Sequence, residues 1–206
     1  MIAILDYGVG NLFSLKSSFR AVGVEAVVSS DPDVIRKAER MILPGVGAFE
    51  DAAEKLRRSG LDSLLIELAS QGKPLMGICL GMQLLFERSF EYGEHKGLGL
   101  LKGNVQPIAN QIPQGLKIPH MGWNSLIIKR ESPLLRYVNE GDYVYFVHSY
   151  SAVGCDDSIL ASTDYGCELT ACVGKGRVFG CQFHPEKSGK VGLSILKAFC
   201  EMETGA

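Results

Sequence analysis

The sequence predicts an α/β protein with an open, mostly parallel sheet, flanking helices and an added antiparallel β section. Up to residue 78, short apolar runs alternate with amphipathic stretches, which is the pattern of consecutive strand–helix units. After about Tyr92, short β-type segments follow one another with turns between them, which indicates antiparallel strands. No linker, repeat or low-complexity tract interrupts the 206 residues, so we expect a single domain over 1–206.

The composition excludes several classes of function. Hydrophobic residues make up 46% and charged residues 21% of the chain, whose net charge of −2 is ordinary for a globular protein. No cluster of Lys and Arg with aromatic residues is present, which argues against nucleic-acid binding. The N-terminal segment lacks the basic residues of a signal peptide, and no apolar segment has the length of a membrane span. We therefore expect a cytoplasmic protein that does not bind membranes.

The cysteines indicate neither disulfides nor a metal site. Six cysteines are too few for a disulfide scaffold in a chain of this length, so we expect reduced thiols. The closest pair, Cys167 and Cys172, has no second pair of Cys or His ligands nearby, which argues against structural zinc. We expect no metal and no cofactor.

The first half of the chain predicts four strands that are each followed by helix. The run 2–5 is continuously apolar, as in a strand that is buried on both faces. Asn11 and Asp31 are suitable helix N-caps, and Gly23 is placed to stop the first helix. The predicted strands are 2–5, 24–28, 40–43 and 75–78, and the predicted helices are 12–22, a short one from 32, 50–58, 61–70 and one from about 80.

The second half predicts strands and turns, followed by one helix. Its short apolar segments are bounded by Gly, Asn, Asp and Pro, which are turn residues. An apolar stripe at helical spacing marks the last helix, 189–200. The predicted strands are 97–100, 104–108, 122–128, 143–147, 159–163, 167–173 and 177–183.

Three turns follow predicted parallel strands: 6–11, 44–49 and the turn at Cys79. Because sites in open α/β sheets form beyond the carboxyl ends of the strands, we expect these three turns to converge.

The third turn carries a candidate nucleophile. Gly77-Ile-Cys79-Leu-Gly81 is the thiol version of a nucleophile elbow, in which a strained strand-to-helix turn exposes a reactive side chain. Glycines on both sides avoid collisions with the crossing backbone, and the N-terminus of the next helix can stabilise negative charge and lower the pKa of a thiol. The competing interpretation is a buried cysteine in a strand.

A base for this thiol is present near the end of the chain. His184 follows a predicted strand, and Pro185 ends the strand and turns the backbone. The carboxylate of Glu186, two residues on, can then orient the imidazole, which completes a Cys79–His184–Glu186 triad. The competing interpretation is a turn that contains a core histidine with ordinary hydrogen bonds.

The other histidines have simpler interpretations. His95 lies in a charged stretch and is expected in a solvated loop. His120 and His148 have apolar neighbours and are expected to be structural hydrogen-bond donors.

The motifs around the triad resemble those of the class I, triad-type glutamine amidotransferases: Gly77-Ile-Cys-Leu-Gly-Met-Gln83, Phe183-His-Pro-Glu186, and the Pro44-Gly-Val-Gly-Ala-Phe49 loop, which is similar to the family's oxyanion-strand loop. Three further segments resemble the branch formed by glutaminase subunits of imidazole glycerol phosphate synthases: Ile4-Leu-Asp-Tyr-Gly-Val-Gly-Asn11, Pro119-His-Met-Gly-Trp-Asn124 and Phe146-Val-His-Ser-Tyr150. The resemblance extends from Ile2 to the last helix.

The resemblance implies hydrolysis of glutamine to glutamate and ammonia through a thioester on Cys79, with His184 as base and Glu186 orienting it. It implies an oxyanion hole formed by the amides of Leu80 and Val46. The residues that it implies for substrate binding are Gly47, Gln83, Glu91, Ser149 and Tyr150.

The resemblance also implies a partner, because no part of the chain remains to receive the ammonia. That partner is a cyclase subunit with a (β/α)8-barrel fold, which forms a heterodimer with this chain and acts as a lyase in histidine biosynthesis. We expect Asn11, Met121, Trp123 and Lys187 at the interface, although a buried core position is an equal alternative for the tryptophan.

Three alternative functions remain open at the level of sequence. The chain could supply ammonia to another acceptor, such as a pyridoxal phosphate synthase, or it could be a cysteine peptidase with a similar elbow. It could also be a non-catalytic binding partner that has the same fold.

Overall fold

The computed structural model describes residues 1–203, which contain fourteen strands and six α-helices. The strands are β1 (Ile2–Leu5), β2 (Ala26–Ser29), β3 (Arg40–Leu43), β4 (Leu75–Ile78), β5 (Arg88–Ser89), β6 (His95–Lys96), β7 (Asn104–Pro107), β8 (His120–Ser125), β9 (Ile127–Ile128), β10 (Tyr143–His148), β11 (Tyr150–Val153), β12 (Ile159–Asp164), β13 (Glu168–Lys175) and β14 (Val178–Cys181). The helices are α1 (Leu12–Ala21), α2 (Pro32–Lys37), α3 (Phe49–Arg58), α4 (Leu61–Ser70), α5 (Leu80–Leu84) and α6 (Gly189–Glu201).

The main sheet has eight strands in the order β2-β1-β3-β4-β14-β13-β12-β9. Its first five strands are parallel, and the strands from β13 onward pair antiparallel. Two smaller sheets complete the β section: the antiparallel pair β10-β8, and β11-β7-β5-β6. The predicted mixed architecture is confirmed.

Helices cover both faces of the parallel strands. Side chains alternate across a strand, so Ile2 and Ile4 pack with the apolar stripes of α1 and α6 on one face. Ala3 and Leu5 pack on the other face with α2, α3 and α4. Among residues 1–203, no helix is long and apolar enough to cross a bilayer.

Two local predictions were wrong. Residues 97–100 form no strand, because their amides bond to the carbonyls that α5 leaves free at its end, for example Leu98 N–H to Leu84 O at 2.8 Å. Asn11 lies at the N-cap position of α1 with φ −89° and ψ 65°, but its side chain makes no capping hydrogen bond. Asp31 does cap α2, since its carboxylate accepts from Asp33 N–H at 2.9 Å.

The end of β3 and the start of α5 touch backbone to backbone. A Cβ on Gly81 would lie 1.8 Å from the carbonyl oxygen of Leu43, and one on Gly45 would lie 2.7 Å from the Gly81 nitrogen. Only glycine allows the two backbones to approach so closely. This approach packs the 44–49 loop against the elbow at Cys79.

The 6–11 turn joins the same cluster. Tyr7 OH donates a 2.6 Å hydrogen bond to Pro44 O, and a Cβ on Gly10 would lie 2.9 Å from Pro44 Cβ. The predicted convergence of the three turns is confirmed.

Gly81→Ala is expected to lower the free energy of unfolding by at least about 3 kcal/mol, because the new methyl group meets an immobile carbonyl. Urea denaturation measures the change. Gly23→Asn is the control, because Gly23 has a φ of +79° with open space around it and Asn tolerates that conformation. Equal stability of Gly81→Ala and the wild type would contradict the tight contact.

Candidate active site

The predicted elbow is a strained turn. Cys79 has φ 54° and ψ −113°, and Tyr92 is the other non-glycine residue of positive φ in the described chain. The Cys79 amide donates to Cys181 O on the adjacent strand β14 at 2.7 Å, and α5 begins at the residue after Cys79. Such strain costs roughly 1–3 kcal/mol and is concentrated at functional sites.

The Cys79 side chain is 7% exposed and lines a cavity of about 550 Å³. Its sulfur accepts a hydrogen bond from Gln182 Nε2 at 3.8 Å and lies 3.9 Å from Val147 O. The thiol therefore faces a cavity at the end of the strand, which favours the elbow over a cysteine inside a strand.

His184 lies just beyond the end of β14 and lines the same cavity. Its Nδ1 is 2.9 Å from Glu186 Oε1, and the Glu186 side chain is 1% exposed. A carboxylate accepts, so Nδ1 carries the proton and Nε2 is left for the thiol. Burial alone would lower the pKa of His184, but hydrogen bonds to Cys79 and Glu186 and their charges outweigh it and raise this pKa to about 9.

The backbone around His184 is held on both sides. His184 N–H donates to Tyr145 O at 3.0 Å, and Ser188 Oγ donates to His184 O at 2.6 Å. Tyr145 N–H donates in turn to Ser188 Oγ at 3.0 Å. This closed set of bonds ties the histidine to β10.

The 44–49 loop forms one wall of the cavity. Val46 is 43% exposed and lines the cavity with Gly47, whose φ of +94° turns the loop. The amide of Leu80 is the first of α5 and has no acceptor within the helix. The two residues predicted for the oxyanion hole, Val46 and Leu80, therefore lie at the same cavity.

The five residues predicted to bind substrate all line this cavity: Gly47, Gln83, Glu91, Ser149 and Tyr150. Gln83 Nε2 donates to Tyr150 O at 3.1 Å and to Gln182 Oε1 at 3.0 Å, which leaves its Oε1 for a ligand. Glu91 Oε2 accepts from Phe49 N–H at 2.6 Å, and burial raises the pKa of Glu91.

Sequence reasoning missed three residues with polar side chains at the site. Gln182 is fully buried between Cys79 and Gln83, and an uncharged polar residue inside an apolar strand was its only signal. Tyr92, 89% exposed, and His148 also line the cavity. His95 is not a solvated loop residue, since it lies in β6 with a side chain 15% exposed and its Nδ1 3.6 Å from Glu50 Oε1.

Beside the cavity lies a surface that we call the docking patch, formed by the exposed residues Met121, Trp123 and Lys187 and the half-buried Tyr145. Met121 is 65% and Trp123 55% exposed, so the core position for the tryptophan is wrong. Trp123 packs edge-on against Tyr145, and Lys187 Nζ lies 5.9 Å from the centre of the Tyr145 ring. Asn11 is half-buried at the start of α1, which packs against the 3₁₀ turn of Lys187.

Across residues 1–203, no three His, Cys, Asp or Glu side chains are grouped as a metal site would require.

Comparisons with known proteins identify the family. The model of the family described as glutamine amidotransferase class-I matches residues 3–202. The chain belongs to this family. It is 52% identical to the imidazole glycerol phosphate synthase subunit HisH of Lactococcus lactis subsp. lactis over 97% of this chain and 98% of that protein. The HisH subunit of Bacillus subtilis is 51% identical over 98% of this chain and 96% of that protein.

Solved structures agree on the fold of this amidotransferase. The structure of PurLQS from Thermotoga maritima matches with a TM-score of 0.75 at 23% identity, covering 97% of this chain and 96% of that chain. A crystal structure of a glutamine amidotransferase matches with a TM-score of 0.74 at 20% identity, covering 96% and 98%. At these identities the likeness concerns the fold alone.

Glu186→Gln is expected to lower the pKa of His184, because it removes the carboxylate that stabilises the charged ring. NMR titration of the His184 imidazole measures the change. Glu94→Gln, which alters an exposed carboxylate paired with Arg88, is the control and is expected to leave the midpoint in place. An unchanged midpoint in Glu186→Gln would show that the carboxylate does not stabilise the imidazolium.

Proposed function

We propose that this chain is the glutaminase subunit of an imidazole glycerol phosphate synthase and hydrolyses glutamine to glutamate and ammonia. The observation that carries the proposal is the meeting of the Cys79 elbow with the His184–Glu186 pair at one cavity. The HisH relatives, which are about 50% identical to this chain, support a role in this synthase. They argue against supply of ammonia to a pyridoxal phosphate synthase, a peptidase activity and a non-catalytic binding role.

In the proposed reaction the Cys79 thiolate attacks the carboxamide carbon of glutamine and forms a C–S bond. His184, holding the former thiol proton, transfers it to the nitrogen as the C–N bond breaks, and ammonia leaves. Water, deprotonated by His184, then attacks the thioester carbon, and the C–S bond breaks to release glutamate. Glu186 holds the imidazole in the required tautomer throughout.

Both tetrahedral intermediates carry an oxyanion, for which we propose the amides of Leu80 and Val46 as donors. Removal of one such donor typically raises the barrier by about 3–4 kcal/mol. The contact of Gly45 with Leu80 supports this role, because it holds the loop that carries Val46 against the elbow.

For the amino-acid end of glutamine we propose Gly47, Gln83, Glu91, Ser149 and Tyr150. The free oxygen of Gln83 and the carboxylate of Glu91 are acceptors that suit an ammonium group. The amide orientation of Gln83 is set by its two internal hydrogen bonds, so it needs no rearrangement to accept.

We further propose a heterodimer with a cyclase subunit of (β/α)8-barrel fold, in the cytoplasm, with the lyase chemistry on that partner. In this proposal residues 1–206 are a single amidotransferase domain, and the partner docks on the docking patch and Asn11. The exposed Trp123 supports this placement, since exposed tryptophans commonly anchor interfaces. A cover over the cavity keeps ammonia from water, where protonation would remove its nucleophilicity.

Cys79→Ala is expected to abolish glutamate release by the complex with the cyclase subunit, because among residues 1–203 no other thiol lines the cavity of His184. Glutamate production from glutamine is measured, with binding of the cyclase as a check on folding. Cys167→Ala, at a half-buried thiol outside the cavity, is the control and is expected to retain full activity. Unchanged glutamate release from Cys79→Ala would overturn the mechanism.

Trp123→Ala is expected to weaken binding of the cyclase subunit by about tenfold or more, because it removes a large apolar anchor from the docking patch. Titration calorimetry measures the affinity. Ile66→Ala removes a side chain that is 40% exposed on α4, outside the patch, and is expected to bind normally. Equal weakening by both substitutions would place the interface elsewhere.

A further inference from the structure

A chain of hydrogen bonds that centres on two buried histidines runs beside the cavity. His148 Nδ1 lies 2.8 Å from Tyr150 O, and His148 Nε2 lies 3.0 Å from His120 Nδ1. His120 Nε2 lies 3.2 Å from Asn124 Nδ2. Both rings are at most 5% exposed, and we call Asn124, His120 and His148 the histidine relay.

The backbone at one end of the relay determines where its protons lie. Tyr150 O can only accept, so His148 Nδ1 carries a proton and, in the neutral ring, Nε2 is an acceptor. His120 Nδ1 must then donate to it, which leaves His120 Nε2 as an acceptor.

The other end leads independently to the same assignment. Asn124 Oδ1 accepts from Ser125 N–H at 2.8 Å, and Asn124 Nδ2 donates to Asp164 O at 2.8 Å. The orientation of this amide is therefore set by backbone groups, and its second N–H points to His120 Nε2. Both ends require His120 to be protonated on Nδ1 alone.

An additional proton on either ring would set one donor against another. Charging His148 would oppose two N–H groups at the His120 contact, and charging His120 would do so at Asn124. Burial, the largest cause for both rings, lowers the pKa of each to about 4. For His148 the hydrogen bond to Tyr150 O opposes this shift, while the neighbouring His120 and His184 add to it.

The relay connects two regions that the proposed function uses. Side chains alternate between the two faces of β8. Met121 and Trp123 point outward into the docking patch, and His120 points inward. His148 forms part of the cavity wall, and Tyr150 O accepts from Gln83 Nε2 as well.

We propose that the histidine relay is a positioning device that holds the 147–150 segment in the orientation that binds the amino-acid end of glutamine. The His120 side chain does not itself line the cavity, and its hydrogen bond to His148 joins it to the cavity wall. This inference rests on the proposed function, because it assigns the purpose of the segment to glutamine binding.

The first test is independent of activity. Long-range ¹H–¹⁵N NMR of the full chain at neutral pH is expected to show His120 and His148 neutral, each with its proton on Nδ1. Free imidazole side chains favour the other tautomer. A proton on Nε2 of either ring, or a charged ring, would overturn the relay even if the glutaminase is active.

The second test separates the positioning role from a general loss of structure. In the complex with the cyclase subunit, His120→Gln is expected to raise the KM for glutamine about tenfold with kcat within about twofold, because the donor to His148 is lost. His120→Asn loses the same ring stacking on Phe146 and Tyr165 but places an amide N–H where Nδ1 was. Its KM is therefore expected to lie close to the wild-type value.

Asn124→Ala, at a half-exposed position, is a milder third variant and is expected to raise KM about threefold. An unchanged KM in His120→Gln, or equal KM values in the Gln and Asn variants, would refute the positioning role. Absence of glutaminase activity in the wild-type complex would instead refute the proposed function, whereas the NMR result would stand.

Discussion

The close approach of two backbones, at the end of β3 and the start of α5, is the constraint on which the site depends. Gly81 lies so near to Leu43 O that no side chain fits between them. The approach forces the chain to turn abruptly at Cys79, and the positive φ of that residue is the consequence. Because Gly45 rests on the same turn, the loop with Val46 and the free amides of α5 reach one cavity. The proposed nucleophile and its proposed oxyanion donors are therefore brought together by a single packing contact.

Electrostatics at the cavity then distinguish histidines that sequence alone leaves alike. His184 faces a buried carboxylate and a sulfur, which favour the charged ring and raise its pKa. His148 faces a carbonyl on one side and an imidazole on the other, and neither compensates for the loss of solvation. One histidine near the thiol can thus carry a proton at neutral pH while its neighbour holds the wall in place.

The same strands serve the cavity and the exposed surface beside it. β8 and β10 pair so that Trp123 lies opposite Tyr145, and the backbone of Tyr145 bonds to His184. A partner that contacts the outer face of this pair therefore lies one strand away from the proposed base. The alternation of side chains across a strand explains how one short sheet contributes to both regions.

The sequence by itself determined the order of strands and helices up to residue 78, the elbow and the pairing of His184 with Glu186, because these depend on local periodicity, on glycine and on residues two positions apart. It could not reveal that amides of residues 97–100 donate hydrogen bonds to carbonyls at the end of α5, or that the Asn11 side chain makes no capping hydrogen bond. It also could not reveal that Gln182 lies between Cys79 and Gln83. The tautomers of His120 and His148 were equally hidden. Each of these depends on which polar group, distant in sequence, comes within hydrogen-bond distance, and only the tertiary structure decides that.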